Sequence, residues 1–383
     1  MTTAAQPLSG RLAGTAAARA EPCARFFAAQ APALAELCHA MAERFLRGGR
    51  LLACGTTAAD RSDVRHVAVE FVHPVIVGKR ALPALGLEAA EVALLTGPED
   101  IVMRFDDGTL TVELGERRWT LAPHSGDRFV DQELIEQSYH VLWELVHVFF
   151  EHRGLLGGRR QERLHDSGAS SFLYPFLAQT EDDLPGVLAD VRASVLTKAA
   201  ETTELRAATL AGSADAIAAA TATLRTALDA GGTLLALGNG GSATDAQDVV
   251  ADLRHPPPPA APRRALDLAE DPAILTAIAN DVGHEAVFAR QVIAHARPGD
   301  VVLGISTSGG SANVLSALAE ARRRRLPTIA LVGYDGGRVL AEGLADHVVV
   351  SPSEHIPRIQ EAQATVLHLL VAAVLAPGAA EQR

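Results

Sequence analysis

Residues 238–252 read GNGGSATDAQDVVAD, and the run before them, TLLALG (233–238), is apolar. A short apolar run, a glycine-rich turn and then a helical pattern make one strand–loop–helix unit of a parallel sheet. Glycines at 238, 240 and 241 let the backbone turn tightly and approach a ligand. Ser242 and the free N–H groups at the start of the helix suit an anion. The rest of the stretch places Asp248 and Asp252 four residues apart, on one helix face. One such turn is also compatible with a plain strand-to-helix connection carrying no ligand.

A second loop of the same kind decides between these. Residues 301–318, VVLGISTSGGSANVLSAL, run from an apolar strand through Ser306, Thr307, Ser308, Gly309, Gly310 and Ser311 into a helix. Capping a helix takes one hydroxyl, and here there are four in six residues. That density suits a dianionic phosphate, bound by hydroxyls and backbone N–H groups together. Because each loop follows a strand, both can sit at one carboxyl edge of a parallel sheet.

The bulk properties fit an α/β chain of two or three domains. There are 383 residues, rich in Ala, Val and Leu. The formal charge of −12 argues against a nucleic-acid backbone as main partner, which would need a basic face, yet leaves room for one small phosphorylated ligand. Cys23, Cys38 and Cys54 form neither a disulfide framework nor a metal-type spacing, and Cys54 reads as a buried thiol. With no secretory leader pattern and no long apolar run, the expectation is a cytoplasmic protein without membrane contact.

The chain also matches itself. GGRLLACG (48–55) repeats as GGTLLALG (231–238), an offset of 183 residues, each after an Ala/Leu-rich helical stretch. ALPALGL (81–87) pairs loosely with RALDLAE (264–270), and PEDIVMRF (98–105) with PGDVVLGI (298–305). A late helix follows in both, LIEQSYHVLWELVHVFFEH (134–152) and RIQEAQATVLHLLVAAVL (358–375). The ordered series implies an internal duplication. The first copy is shorter. It lacks a counterpart of the helical stretch 271–296, and DDGTLTVELGERRWTL replaces the Ser/Thr loop and its helix with a hairpin pattern. The expected organisation is two three-layer αβα halves with parallel sheets, the first truncated. The boundaries fall at 1–155, a Gly/Ser- and charge-rich linker at 156–185, and 186–383.

GNGGSATDAQ, AIANDVG, GISTSGGSANVL and RIQEAQATVLH together resemble the sugar isomerase (SIS) domain and, within it, the phosphoheptose isomerase family. The resemblance covers about residues 185–377. In the first half GTTAAD stands in place of GNGGS, so that copy has lost its phosphate loops. The resemblance implies conversion of sedoheptulose 7-phosphate to D-glycero-D-manno-heptose 7-phosphate through an enediol. A Glu and a His would serve as base and acid, and a zinc ion would be held by a His, that Glu, a Gln and the acid His. It also implies self-association: a homodimer of this double chain would mimic the family's tetramer.

Carried over residue by residue, the family's His-x-x-x-Glu falls on Asp248 and Asp252, while its Gln and His fall on Gln360 and His368. In the first half His66 and Glu70 stand at the His and Glu positions and Gln137 at the Gln, but Leu145 replaces the His. The sequence therefore suggests one composite pocket. Glu70 and His368 would be catalytic, and His66, Glu70, Gln360 and His368 would be the metal ligands. Asn239, Gly240, Gly241, Ser242, Asn280, Asp281, Ser306, Thr307, Ser308, Ser311 and Gln360 would bind substrate. Several alternatives stay open. Asp248 and Asp252 can themselves act as base or metal ligands, and His66 with Glu70 can be an ordinary i,i+4 pair. His368 can be a core histidine, Asn280–Asp281 a turn pair, and His140 and His147 read as structural. A non-catalytic sugar-phosphate-binding regulator or interaction module is the competing function.

Overall fold

The structure, a computed structural model, describes residues 8–75, 79–151 and 183–377. The chain divides into two compact units: Ala20–Glu201, and Met1–Arg19 together with Thr202–Arg383. The linker expected at 156–185 lies outside the described residues except for its last three positions.

In the N-terminal unit, β1 (Leu51–Gly55) lies between β2 (Ala84–Gly86) and β3 (Ile101–Asp106), parallel to both. The apolar run LLAC is buried throughout, as a strand covered on both faces requires. The expected hairpin is present. β4 (Thr109–Leu114) and β5 (Arg117–Leu121) extend the sheet antiparallel, giving the order β2-β1-β3-β4-β5. Its tight turn is set by Asp107 and Gly108, both at positive φ (44° and 73°), the backbone of a two-residue type I′ loop. The sheet is thus mixed, with parallel strands at the end it shares with the other unit's topology. A parallel step from β2 to β3 needs a crossover. The structure keeps a short one, α3 (Ala89–Leu95), where sequence comparison suggested no helical counterpart. The Glu91 side chain fixes its start by accepting from the Glu88 N–H at 2.8 Å. α2 (Asp60–Val72) follows β1, and α4 (Arg128–Glu151) packs on α2, burying Trp143, Tyr139 and Phe149. Cys23, Cys38 and Cys54 are buried, and burial raises the thiol pKa of both Cys38 and Cys54.

The C-terminal unit has five parallel strands: β6 (Leu234–Leu237), β7 (Ala265–Asp267), β8 (Val301–Ser306), β9 (Thr328–Gly333) and β10 (His347–Ser351), in the order β10-β9-β8-β6-β7. Between them run α7 (Gly241–Arg254), α8 (Pro272–Asp281), α9 (Val287–His295), α10 (Ala312–Arg323) and α11 (Gly337–Ala341). α12 (Ile356–Leu375) closes the unit. α12 is anchored by a buried polar network. Arg358 pairs with Glu361 at 3.0 Å, and Thr202 Oγ1 donates to Glu361 Oε2 while accepting from Arg358 Nη1. α1 (Leu8–Leu46), α5 (Leu184–Gly212) and α6 (Ala214–Asp229) complete the helices.

The two units share details beyond strand order. Gly48 (φ 91°) and Gly231 (φ 83°) end the helices before β1 and β6. A Cβ on the next residue would lie 2.1 Å from Glu99 O at Gly49 and 2.2 Å from Gly299 O at Gly232, so both positions admit only glycine. Asp100 accepts from the Arg50 and Gly97 N–H groups at 2.8 and 2.9 Å, and Asp300 from those of Thr233 and Arg297 at 2.8 and 2.7 Å. In each unit one carboxylate ties the start of one central strand to the start of its neighbour.

Candidate functional site

β6 and β8 pair in parallel, Leu234 beside Val301, so the chain leaves both at the same sheet edge. The loop after β6 leads into α7 and the loop after β8 into α10. Asn239 and Asn313 clasp the two loops: each side-chain amide donates to the other's carbonyl oxygen, at 2.9 and 2.8 Å. Asn313 is buried, and its oxygen also accepts from the Val314 N–H. Ser306 and Ser311 hydroxyls lie 3.2 Å apart, and Ser308 Oγ accepts from the Gly310 N–H. Gly309 sits at φ 60°, where a Cβ would meet Gly336 O at 2.4 Å. The Gly333 N–H donates to Thr307 O and the Val339 N–H to Gly309 O, bracing the loop from behind. The result is a fixed rim of hydroxyls and helix-start N–H groups, donors of the kind that suit an anion.

α7 carries Asp248 and Asp252 on one face, and that face packs on α12. There His368 Nε2 lies 3.2 Å from Asp248 Oδ2. Ligand atoms of Asp248, Asp252 and His368 all lie within 4.8 Å of one another, with His368 and Asp252 buried. Gln360, two turns before His368 on α12, is buried as well. Ser242 and Asp248 are separated by about 9 Å of helix axis at the usual rise per residue. That separation is comparable with the length of an extended seven-carbon sugar phosphate. Two carboxylates and an imidazole can exchange protons with a bound molecule or hold a zinc-like cation.

The N-terminal unit has a cluster of its own. His66 and Glu70 lie on α2, buried, with His66 Nε2 3.8 Å from Glu70 Oε1. They are therefore not a surface i,i+4 pair. Burial raises the Glu70 carboxyl to about 7, with the neighbouring His140 opposing the rise and Glu144 adding to it. Burial, reinforced by His140, pushes His66 well below the ordinary histidine range. His140 Nε2 lies 3.2 Å from His66 Nε2, and Tyr139 OH lies 3.1 Å from both Asp63 Oδ1 and His66 Nδ1.

Of the residues the sequence singles out, the structure gathers His368 with Asp248 and Asp252, and the two hydroxyl- and glycine-rich loops with each other. His66 and Glu70 belong to one compact unit, Gln360 and His368 to the other. Asn280 and Asp281 end α8 rather than forming a turn, exposed and hydrogen-bonded to each other at 2.7 Å. His147 is structural as expected, its ring nitrogens 2.8 and 2.9 Å from the carbonyl oxygens of Trp143 and Arg80. His140 is buried and faces His66, with 3.2 Å between their Nε2 atoms. Sequence reading also missed Asn313, and His284, whose Nε2 lies 3.5 Å from Asn313 Nδ2. Asn313 follows the serine run inside the quoted motif. Its role depends on Asn239, 74 residues earlier, and periodicity carries no such signal.

Comparison with known proteins places these features among relatives. The SIS domain family matches residues 199–333. The phosphoheptose isomerase of Citrifermentans bemidjiense is 46% identical over 162 residues, covering 40% of this chain and 80% of that protein. That of Solidesulfovibrio magneticus is 47% identical over 163 residues, 41% of this chain and 76% of its own. A solved structure of phosphoheptose isomerase from Neisseria gonorrhoeae is 34% identical, covering 48% of this chain and 98% of that one, with a TM-score of 0.45.

Proposed function

This chain belongs to the phosphoheptose isomerase family, and we infer that it is a sugar-phosphate isomerase whose substrate is sedoheptulose 7-phosphate and whose product is an aldoheptose 7-phosphate. The observation that carries the reading is local to one unit. The loops that suit a phosphate and the Asp248–Asp252–His368 cluster are built on the same strands and helices.

The loops hold the phosphate end through Ser242, the hydroxyls of Ser306, Thr307, Ser308 and Ser311, and the N–H groups at the starts of α7 and α10. The hydroxy-carbonyl end then lies along α7, toward its carboxylates. Asp252 takes the proton from the carbon that bears the hydroxyl. His368, steadied by Asp248, gives a proton to the carbonyl oxygen, forming the enediol. Asp252 then delivers its proton to the former carbonyl carbon while His368 recovers one from the other enediol hydroxyl, so both groups are regenerated. Asp252 and His368 are buried, so bulk water does not compete for those protons. Asp248, Asp252 and His368 fit a zinc ion: mixed nitrogen and oxygen donors, all within 4.8 Å of one another. When bound, zinc would supply fixed positive charge beside the oxygen on which negative charge develops.

One observation favours a second reading, in which Glu70 of the N-terminal unit is the base. Its carboxyl is buried and raised to about 7, the range of a general base or acid at neutral pH. The matching glycine pairs and carboxylate ties of the two units support a duplicated ancestry. Self-association as a dimer and a cytoplasmic location belong to the same proposal. Among the described residues no helix is long and apolar enough to cross a membrane. The deciding experiment incubates purified full chain with sedoheptulose 7-phosphate, with added zinc and with chelator. Appearance of aldoheptose 7-phosphate supports the proposal. Its absence under both conditions contradicts it.

A further inference from the structure

We propose that His66, His140 and Glu136 form a closed, structural zinc site inside the N-terminal unit, with Glu70 as fourth ligand. Ligand atoms of His66, Glu136 and His140 lie within 4.8 Å of one another, and all three residues are buried. Glu136 and His140 occupy positions to which the family resemblance assigns no ligand. The site shares no residue with the cluster on α7 and α12 and does not depend on the first isomerase reading; Glu70 held as a ligand excludes the second.

Three features distinguish this cluster from an ordinary buried hydrogen-bond network. The first is spacing. Two nitrogens each about 2.0–2.1 Å from a tetrahedral zinc stand about 3.3 Å apart. The two Nε2 atoms here are 3.2 Å apart. The second is the proton arrangement. The Asp63 carboxylate can only accept, so Tyr139 donates its hydroxyl proton to Asp63 and its oxygen accepts from His66 Nδ1–H. That leaves the lone pair of His66 on Nε2, aimed at the space beside His140. A ligating histidine whose other nitrogen is held by an outer partner is the usual pattern of zinc sites. The third is Glu70. Its Oε1 lies 3.8 Å from His66 Nε2, and its Oε2 is buried with no hydrogen-bond partner. Such an orphaned buried oxygen costs free energy unless something compensates it, and a cation does so. Two imidazoles with carboxylates select zinc over magnesium or calcium, which prefer all-oxygen shells.

The test uses the full chain, stripped with chelator and dialysed against zinc. The D248N/D252N variant silences the other cluster, and elemental analysis reads the metal left bound. The proposal expects this variant to retain one zinc per chain, and H140Q added to it to lose that zinc. Tyr139→Phe keeps the ligands but removes the tautomer lock. It is expected to weaken zinc binding about 10–100-fold in a competition titration. A crystal of the wild-type chain measured at the zinc edge should show an anomalous peak between His66 and His140, a readout that survives if H140Q fails to fold. No zinc on the D248N/D252N variant, an unchanged affinity in Y139F, or a bare histidine pair without an anomalous peak would each overturn the site.

Discussion

His368 Nε2 stands 3.2 Å from Asp248 Oδ2, joining the two helices that carry the proposed acid and its neighbouring carboxylates. Asp248 stands where the resemblance to the family puts a histidine. The aspartate here meets the histidine of α12. Replacing His368 with Gln removes the proton donor at nearly constant volume. It is expected to lower kcat for sedoheptulose 7-phosphate by roughly 10²–10⁴-fold, the usual span for a general acid. Asp248→Asn, which only loosens the imidazole, is expected to cost about tenfold. Steady-state kinetics with KM and kcat separated checks both.

Asn313 to Ala unclasps the two loops. Two amide hydrogen bonds at roughly 1 kcal/mol each predict a rise in KM of up to about thirtyfold, with little change in kcat because Asn313 only positions the loop rim. A fall in kcat at unchanged KM would show that Asn313 serves the chemistry instead.

Gly309→Ala places a Cβ against the Gly336 carbonyl, in a backbone conformation that alanine rarely adopts. The strain is expected to cost roughly 1–3 kcal/mol, lowering Tm by about 2–4 °C per kcal/mol. Calorimetry measures the shift, and KM for the sugar phosphate should rise with it.

Asp100 predicts an acid limb of stability. Burial raises its carboxyl, but the Arg50 side chain and the N–H groups of Gly97 and Arg50 outweigh burial and hold it below the usual aspartate range. A depressed carboxylate stabilises the folded state fully above its ordinary value and loses that contribution as pH falls through its folded value. Asp100→Asn is expected to cost about 2 kcal/mol at neutral pH. It should also flatten the fall in stability at low pH, as read from urea unfolding at several pH values.

Much of this architecture was legible in the chain. The apolar runs LLAC and LLAL, bounded by glycines, announce buried parallel strands. Asp107–Gly108 announces the hairpin, because both residues tolerate positive φ. The hydroxyl-rich loop was legible because four hydroxyls at one helix start exceed what capping needs. Contacts between distant segments were not. His66 and His140 are 74 residues apart, and each alone reads as one histidine on an apolar helix. Asp248 and Asp252 stand in place of a His/Glu pair, and only the packing of α7 on α12 shows them beside His368. The short crossover α3 was hidden because seven residues carry too little periodicity to register.

The most direct test of the central claim, that the C-terminal unit holds the proton-transferring carboxylate, compares Asp252→Asn with Glu70→Gln in the sedoheptulose 7-phosphate assay. The account predicts that D252N loses at least about 10²-fold in kcat, with E70Q turning over faster than D252N by a comparable factor. Silence in E70Q with turnover preserved in D252N would contradict it and move the base to the N-terminal half.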